Sequence, residues 1–130
     1  MKTIGIGVDI VENKRIKSSI RSKSFINRLF SRNEILISKK LLNKTNFFSK
    51  RFAAKEAFVK ALGTGFRNGL NFKDIQIVND KLGKPYYLIN SKIKNLIKRK
   101  KKVQNFNLFL SISDEKEYSI AFTIIQKISW

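Results

Sequence analysis

A chain of 130 residues with no cysteine and no histidine is long enough to bury a core. It has no disulfide, thiol nucleophile, Cys/His zinc site or Ser-His-Asp triad, so catalysis is left to 9 acidic residues, the lysines and arginines, and 3 tyrosines. A net charge of +19 points to a polyanionic partner such as nucleic acid, an anionic membrane face, a phosphorylated ligand or an acidic protein, although the abundance of Lys, Asn, Ile and Phe, residues of A+T-rich codons, accounts for part of the excess.

No run of about eighteen uncharged apolar residues occurs, so no membrane span is expected. The opening apolar run is broken by Asp9 and Glu12 and lacks a small-residue cleavage site, which makes the cytoplasm the expected compartment. With no internal repeat and no Gly/Ser/Pro-rich linker, residues 1–130 are expected to form one domain. Residues 3–12, Thr-Ile-Gly-Ile-Gly-Val-Asp-Ile-Val-Glu, read as a buried opening strand that ends in acidic residues. One or two short helices follow to about residue 30. Ser31-Arg32-Asn33-Glu34 matches a capping box and predicts a short helix to about Leu42.

The longest helical signal runs from Thr45, the expected N-cap, to Leu62, with Gly63 just past the end. Phe48, Phe52, Val59 and Leu62 fall on one apolar face, while Ala53, Ala54, Ala57 and Ala61 let a sheet approach closely. After a loop over 63–69, residues 72–79 alternate as a half-buried strand. Asp80 to Gly83 is a turn, and Lys84 to Ile89 is the return strand of a hairpin. Ser91 to Lys102 predicts a basic helix. Two alternating segments close the chain, with Phe106, Leu108, Leu110 and Ile112 pointing one way and Tyr118, Ile120, Phe122 and Ile124 doing the same in the next, joined by a turn at 114–117. The expected class is α+β, an antiparallel sheet wrapped around one long central helix.

Two clusters could carry chemistry. Gly5-Ile-Gly7-Val-Asp9 lacks the third glycine of a dinucleotide fingerprint. Its glycines permit close backbone approach, and the strand delivers one carboxylate at its end, although a lone Asp there is also an ordinary cap or surface charge. Glu56 and Lys60 are four apart on the long helix. They form either an exposed ion pair worth about 0.2–0.5 kcal/mol or, because the surrounding stretch is apolar, a buried pair in need of compensation. Magnesium with bound phosphates would supply it, since Mg²⁺ takes one or two carboxylates plus water and phosphate oxygens, and Lys60 is a compact charge suited to a phosphate.

Gly5-Ile-Gly-Val-Asp9-Ile-Val-Glu12, with Arg15 just beyond, resembles the opening signature of the holo-acyl-carrier-protein synthases, and the fifteen residues from Arg51 to Gly65 resemble the second signature of that family. Gly83-Lys-Pro-Tyr86 and Leu110-Ser-Ile-Ser-Asp114 resemble two further blocks in the same order, so the resemblance covers essentially the whole chain. It implies a magnesium-dependent transferase that moves 4′-phosphopantetheine from coenzyme A to a serine of an acidic acyl carrier protein, in support of fatty acid biosynthesis. By position, the resemblance makes Asp9 and Glu56 the magnesium ligands, and Glu56 and Lys60 the catalytic pair. It makes Arg51, Lys60, Gly63, Thr64, Gly65, Lys84 and Pro85 the coenzyme-binding residues, with Lys60 at the phosphates. Arg15 would meet the carrier protein, with Arg21 and Arg28 extending that patch. The general base is left between Glu56 and a metal-bound water. The family fold is an antiparallel sheet around a long helix, usually a homotrimer with active sites between subunits. Many members carry His where this chain has Asp114, which is read here as a turn residue, and Lys98 to Lys102 as a solvated helix end.

Two rivals stand beside this reading. One is a basic nucleic-acid-binding module, against which the Phe spacing fits a core better than an exposed stacking platform; no nucleic-acid partner is expected. The other is a transferase for a polyketide or peptide synthetase carrier, but such relatives usually carry two fused copies of this unit.

Overall fold

The computed structural model describes residues 1–64 and 70–128. In chain order they form β1 (Lys2–Glu12), α1 (Asn13–Ser19), α2 (Lys23–Leu29), α3 (Arg32–Ser38), α4 (Lys44–Leu62), a 3-10 turn (Phe72–Asp74), β2 (Gln76–Asn79), β3 (Pro85–Leu88), α5 (Ser91–Lys101), β4 (Phe106–Asp114) and β5 (Tyr118–Lys127). The class is α+β, as expected, but the strands divide between two antiparallel sheets. One is three-stranded in the order β1-β5-β4, and the other is the hairpin β2-β3.

The organising element is α4, which is buried on nearly every side. Ala53, Ala54, Ala57 and Leu62 are fully covered, as are Phe48 and Phe58. The sheet covers one flank, α1 and α3 meet another, and α5 and β2 pack along it elsewhere. A helix enclosed in this way has no single apolar stripe. The expected face is therefore incomplete: Phe47 and Phe58 join the core, whereas Phe52 stays half-buried beside a cavity. The helix starts two residues earlier than expected, because the Asn43 side chain accepts the Asn46 N–H at 2.9 Å and takes the N-cap from Thr45. It ends as expected at Gly63, whose φ of +83° is left-handed. Helix α3 begins on the predicted capping box but stops at Ser38, whose hydroxyl bonds back to the Ile35 carbonyl at 2.6 Å.

Strand β1 is not buried on both faces. Gly5, Gly7, Asp9 and Val11 face α4, and a Cβ on Gly5 or Gly7 would collide with the backbone of Ala61 or Ala57. Small residues on both elements thus let strand and helix touch backbone to backbone. Opposite Gly7, Asp9 and Val11, β5 presents Thr123, Ala121 and Ser119, all fully or almost fully buried. The larger apolar residues of these strands point the other way. Ile6, Val8 and Ile10 are more than half exposed, and Tyr118, Ile120, Phe122 and Phe109 share that outer side. Tyr118, Ile120, Phe122 and Ile124 do form one row, but on the face away from the helix. The inner row of β4, with Leu108, Leu110 and Ile112, packs into the core.

Candidate active site

Strand β1 and helix α4 cross where both are narrowest, and their chemistry-bearing residues meet at one end of that crossing. Asp9 stands in the inner row of β1, one residue pair beyond Gly7. Glu56 and Lys60 lie one turn apart on the α4 flank that faces it. With Arg15, Ile16 and Ser19 of α1 and Phe25 of α2, they line a cavity of about 360 Å³. The α1 segment is held there by Asn13, whose side-chain amide donates to the Glu115 and Lys116 carbonyls at 3.0 and 3.1 Å and accepts from Ser119.

Lys60 does not pair with Glu56 along the helix. Its Nζ reaches across to Asp9 Oδ1 at 3.0 Å and to the Val8 carbonyl at 3.1 Å. Burial pushes the Glu56 carboxyl above its ordinary range; Asp9 nearby pushes the same way, and Lys60 partly offsets both. Two carboxylates so placed repel each other unless a cation joins them. Among the described residues no third carboxylate, His or Cys completes a metal cage. That donor set of two hard oxygens on a solvent-accessible cavity fits Mg²⁺, which keeps most of its shell for water and phosphate.

The buried helix charge that the sequence hints at is a different one. Lys55, fully buried, donates to Glu34 Oε1 at 2.7 Å and to the Phe72 and Ile75 carbonyls at 2.8 Å each. Three acceptors match the three N–H bonds of an ammonium. Burial lowers the Lys55 pKa and Glu34 opposes the shift. Glu34 also accepts from the Ser31 and Ile77 amides, so the capping-box carboxylate is at once a helix cap and the anion of a core ion pair. The signal in the sequence is the lysine itself, set in Phe-Ala-Ala-Lys-Glu-Ala-Phe.

Arg51 points away from Asp9, toward a second cavity of about 580 Å³ lined also by Phe47, Lys50, Asn79, Pro85 and Asp114. Its guanidinium lies 4.0 Å over the Phe47 ring and donates to Asn79 Oδ1 at 2.9 Å. Asp114 is more than a turn residue here: it closes β4 and accepts from the Asn46 amide at 2.7 Å at the cavity wall. Lys84 is exposed on the hairpin turn, where with Pro85 it borders a smaller hollow shared with Phe109, Phe122 and Ile124. The structure therefore gathers Asp9, Glu56, Lys60 and Arg15 in one place and Arg51 and Pro85 in another. Gly63 and Thr64 follow Lys60 by one turn, and Gly65 lies outside the described residues.

The sequence profile of the 4′-phosphopantetheinyl transferase superfamily matches residues 5–123, nearly the whole chain. The chain belongs to this superfamily. Among curated superfamily members it is 61% identical over 127 residues to the holo-[acyl-carrier-protein] synthase of Pelagibacter ubique, covering 98% of this chain and 99% of that one. Two crystal structures of holo-[acyl-carrier-protein] synthases share the fold. That of Neisseria meningitidis has a TM-score of 0.86 at 35% identity, covering 96% of this chain and 99% of that one. That of Bacillus anthracis, in complex with CoA (3′,5′-ADP), has a TM-score of 0.81 at 33% identity, covering 98% of this chain and all of that one.

Proposed function

We propose that the protein is a holo-[acyl-carrier-protein] synthase that transfers 4′-phosphopantetheine from coenzyme A to a serine of an acidic apo acyl carrier protein, in support of fatty acid biosynthesis in the cytoplasm. The observation that carries this reading is the meeting of Asp9, Glu56, Lys60 and Arg15 around one cavity. Asp9 and Glu56 would hold Mg²⁺, which supplies a Lewis acid at the pyrophosphate when bound. Lys60 is about half exposed and is free to turn from Asp9 to a phosphate oxygen. The serine oxygen forms its new bond to the phosphorus nearer the pantetheine. That phosphorus parts from its bridging oxygen, which leaves with adenosine 3′,5′-bisphosphate, and the serine proton passes to a base. Glu56 and a water at the metal are the two candidate acceptors of that proton. Positioning and electrostatics carry most of such a loose transition state.

For the coenzyme we assign Arg51, Lys60, Gly63, Thr64, Gly65, Lys84 and Pro85. Arg51 and Pro85 line a cavity separate from Asp9 and Glu56, which supports a homotrimer whose sites are completed between subunits. The exposed apolar row of β1 and β5, with Phe109, supports the same assembly, because it would cover surface that a monomer leaves to water. Arg15 opens onto the catalytic cavity. Exposed Arg21 follows Ser19 closely, and exposed Arg28 lies one turn beyond Phe25. This rim suits the acidic surface of a carrier protein, whose approach it would speed by long-range attraction.

Intact-mass spectrometry of apo acyl carrier protein incubated with the protein, coenzyme A and Mg²⁺ tests the reading. A gain of one phosphopantetheine, lost with EDTA, is expected. No gain with folded protein and a competent carrier would sink it.

A further inference from the structure

The turn between β2 and β3 is fixed from two sides. Inside it, Asp80 Oδ1 accepts the Leu82 and Lys84 N–H groups at 2.9 Å each, and the Gly83 N–H bonds the Asp80 carbonyl at 3.0 Å, with Gly83 at a φ of +88°. These bonds give the turn its shape. They do not set its position against α4, since the hairpin has two four-residue strands and forms no ladder with the larger sheet.

Tyr87 ties the β3 strand to α4 through the Ala54 carbonyl, and at the turn itself the position is set by a run of contacts leading out of the core. Glu34 is wholly buried and pinned by Lys55 and two backbone amides. Its Oε2 lies 3.6 Å from Arg51 Nε, the Arg51 Nη2 donates to Asn79 Oδ1 at 2.9 Å, and the Asn79 Nδ2 donates to the Gly83 carbonyl at 2.9 Å. A side-chain amide can accept from a cation at its oxygen while its nitrogen donates to a carbonyl. An asparagine that merely closes a hairpin would use one end of its side chain on its own turn. Here the other end is spent on a buried arginine from another element.

We infer that Asn79 is a positioning residue for coenzyme binding, holding the Gly83-Lys84-Pro85 turn against Arg51 and so fixing the width of the cavity that Arg51 and Pro85 line. The inference rests on the assignment of Lys84 and Pro85 to the coenzyme. Asn79→Asp keeps an acceptor for Arg51 but loses the donor to Gly83, and Asn79→Ala loses both. In the full-length protein, KM for coenzyme A should rise about three- to tenfold for Asn79→Asp, the effect of one hydrogen bond, and at least as much for Asn79→Ala, with kcat within about twofold of wild type in both. Calorimetric affinity for coenzyme A alone should fall by a similar factor, and amide hydrogen exchange at Leu82, Gly83 and Lys84 should quicken. Lys84→Ala serves as the control for the assignment. If it weakens coenzyme binding while Asn79→Asp changes neither binding nor exchange, the inference alone is overturned. If Lys84→Ala leaves coenzyme binding untouched, the assignment fails and the inference falls with it.

Discussion

Single side chains in this protein do work that their neighbours in sequence do not disclose. Tyr87 is one. Its hydroxyl lies 2.6 Å from both the Ala54 carbonyl and Thr123 Oγ1, joining hairpin, helix and sheet at one atom. Burial raises its pKa well above the ordinary tyrosine range. The unfolded chain therefore loses the phenolic proton near pH ~10, while the folded protein keeps it. Stability is full below that pH and falls as pH rises above it. Tyr87→Phe should cost about 1–2 kcal/mol at neutral pH and flatten the alkaline loss, as read from urea melts between pH 8 and 11. Asp9 is the second case. Asp9→Ala removes a proposed metal ligand and the partner of Lys60 together, so transfer should fall to below roughly 1% of wild type. An unchanged far-UV circular dichroism spectrum would show the fold intact; full activity would remove the metal-site proposal.

Helix α4 organises the molecule because both its small and its charged residues are placed for close contact. Its alanines admit β1 at backbone distance, and Lys55 ties it to α3 and to the segment leading into β2. Removing one charge of a buried pair strands the other, which typically costs about 3–5 kcal/mol. Glu34→Gln should destabilise the protein by that order in chemical denaturation. Replacing both partners, Glu34→Leu with Lys55→Met, should be markedly milder than the single change. The capping box, the left-handed glycine at the end of α4 and the hairpin turn were legible in the sequence, because each is a local pattern whose partners lie within four residues. The partners of Lys55 lie 17 to 21 residues away, so only its presence in an apolar stretch could flag it. The Glu56–Lys60 spacing pointed to a helix pair. The fold gave Lys60 to Asp9 instead, 51 positions earlier in the chain.

At the level of the assembled molecule, the exposed apolar side of β1 and β5 and the split between the two cavities belong together. If copies pack through that side, Phe122→Lys should convert a trimer to monomers in light scattering, and transfer should fall with the loss of shared sites. A monomeric wild-type protein would overturn the proposed assembly.

Alternation along β4 and β5 identified strands and rows correctly, yet it could not say which row of β5 meets the core, and β1, read as a buried strand, buries only one of its faces. Both rows contain apolar residues, and the one that faces α4 is the row of small residues, chosen by how near the helix comes. The glycines and Asp9 of β1, the long helix with Glu56 and Lys60, and the order of the elements all follow from local spacing, and so does membership of the family, since its signatures are contiguous. The choice of inner face, the Asp9–Lys60 and Glu34–Lys55 pairings, and the separation of Arg51 from the carboxylates depend on contacts between segments far apart in the chain. Such contacts are set by packing geometry, which no stretch of sequence encodes by itself.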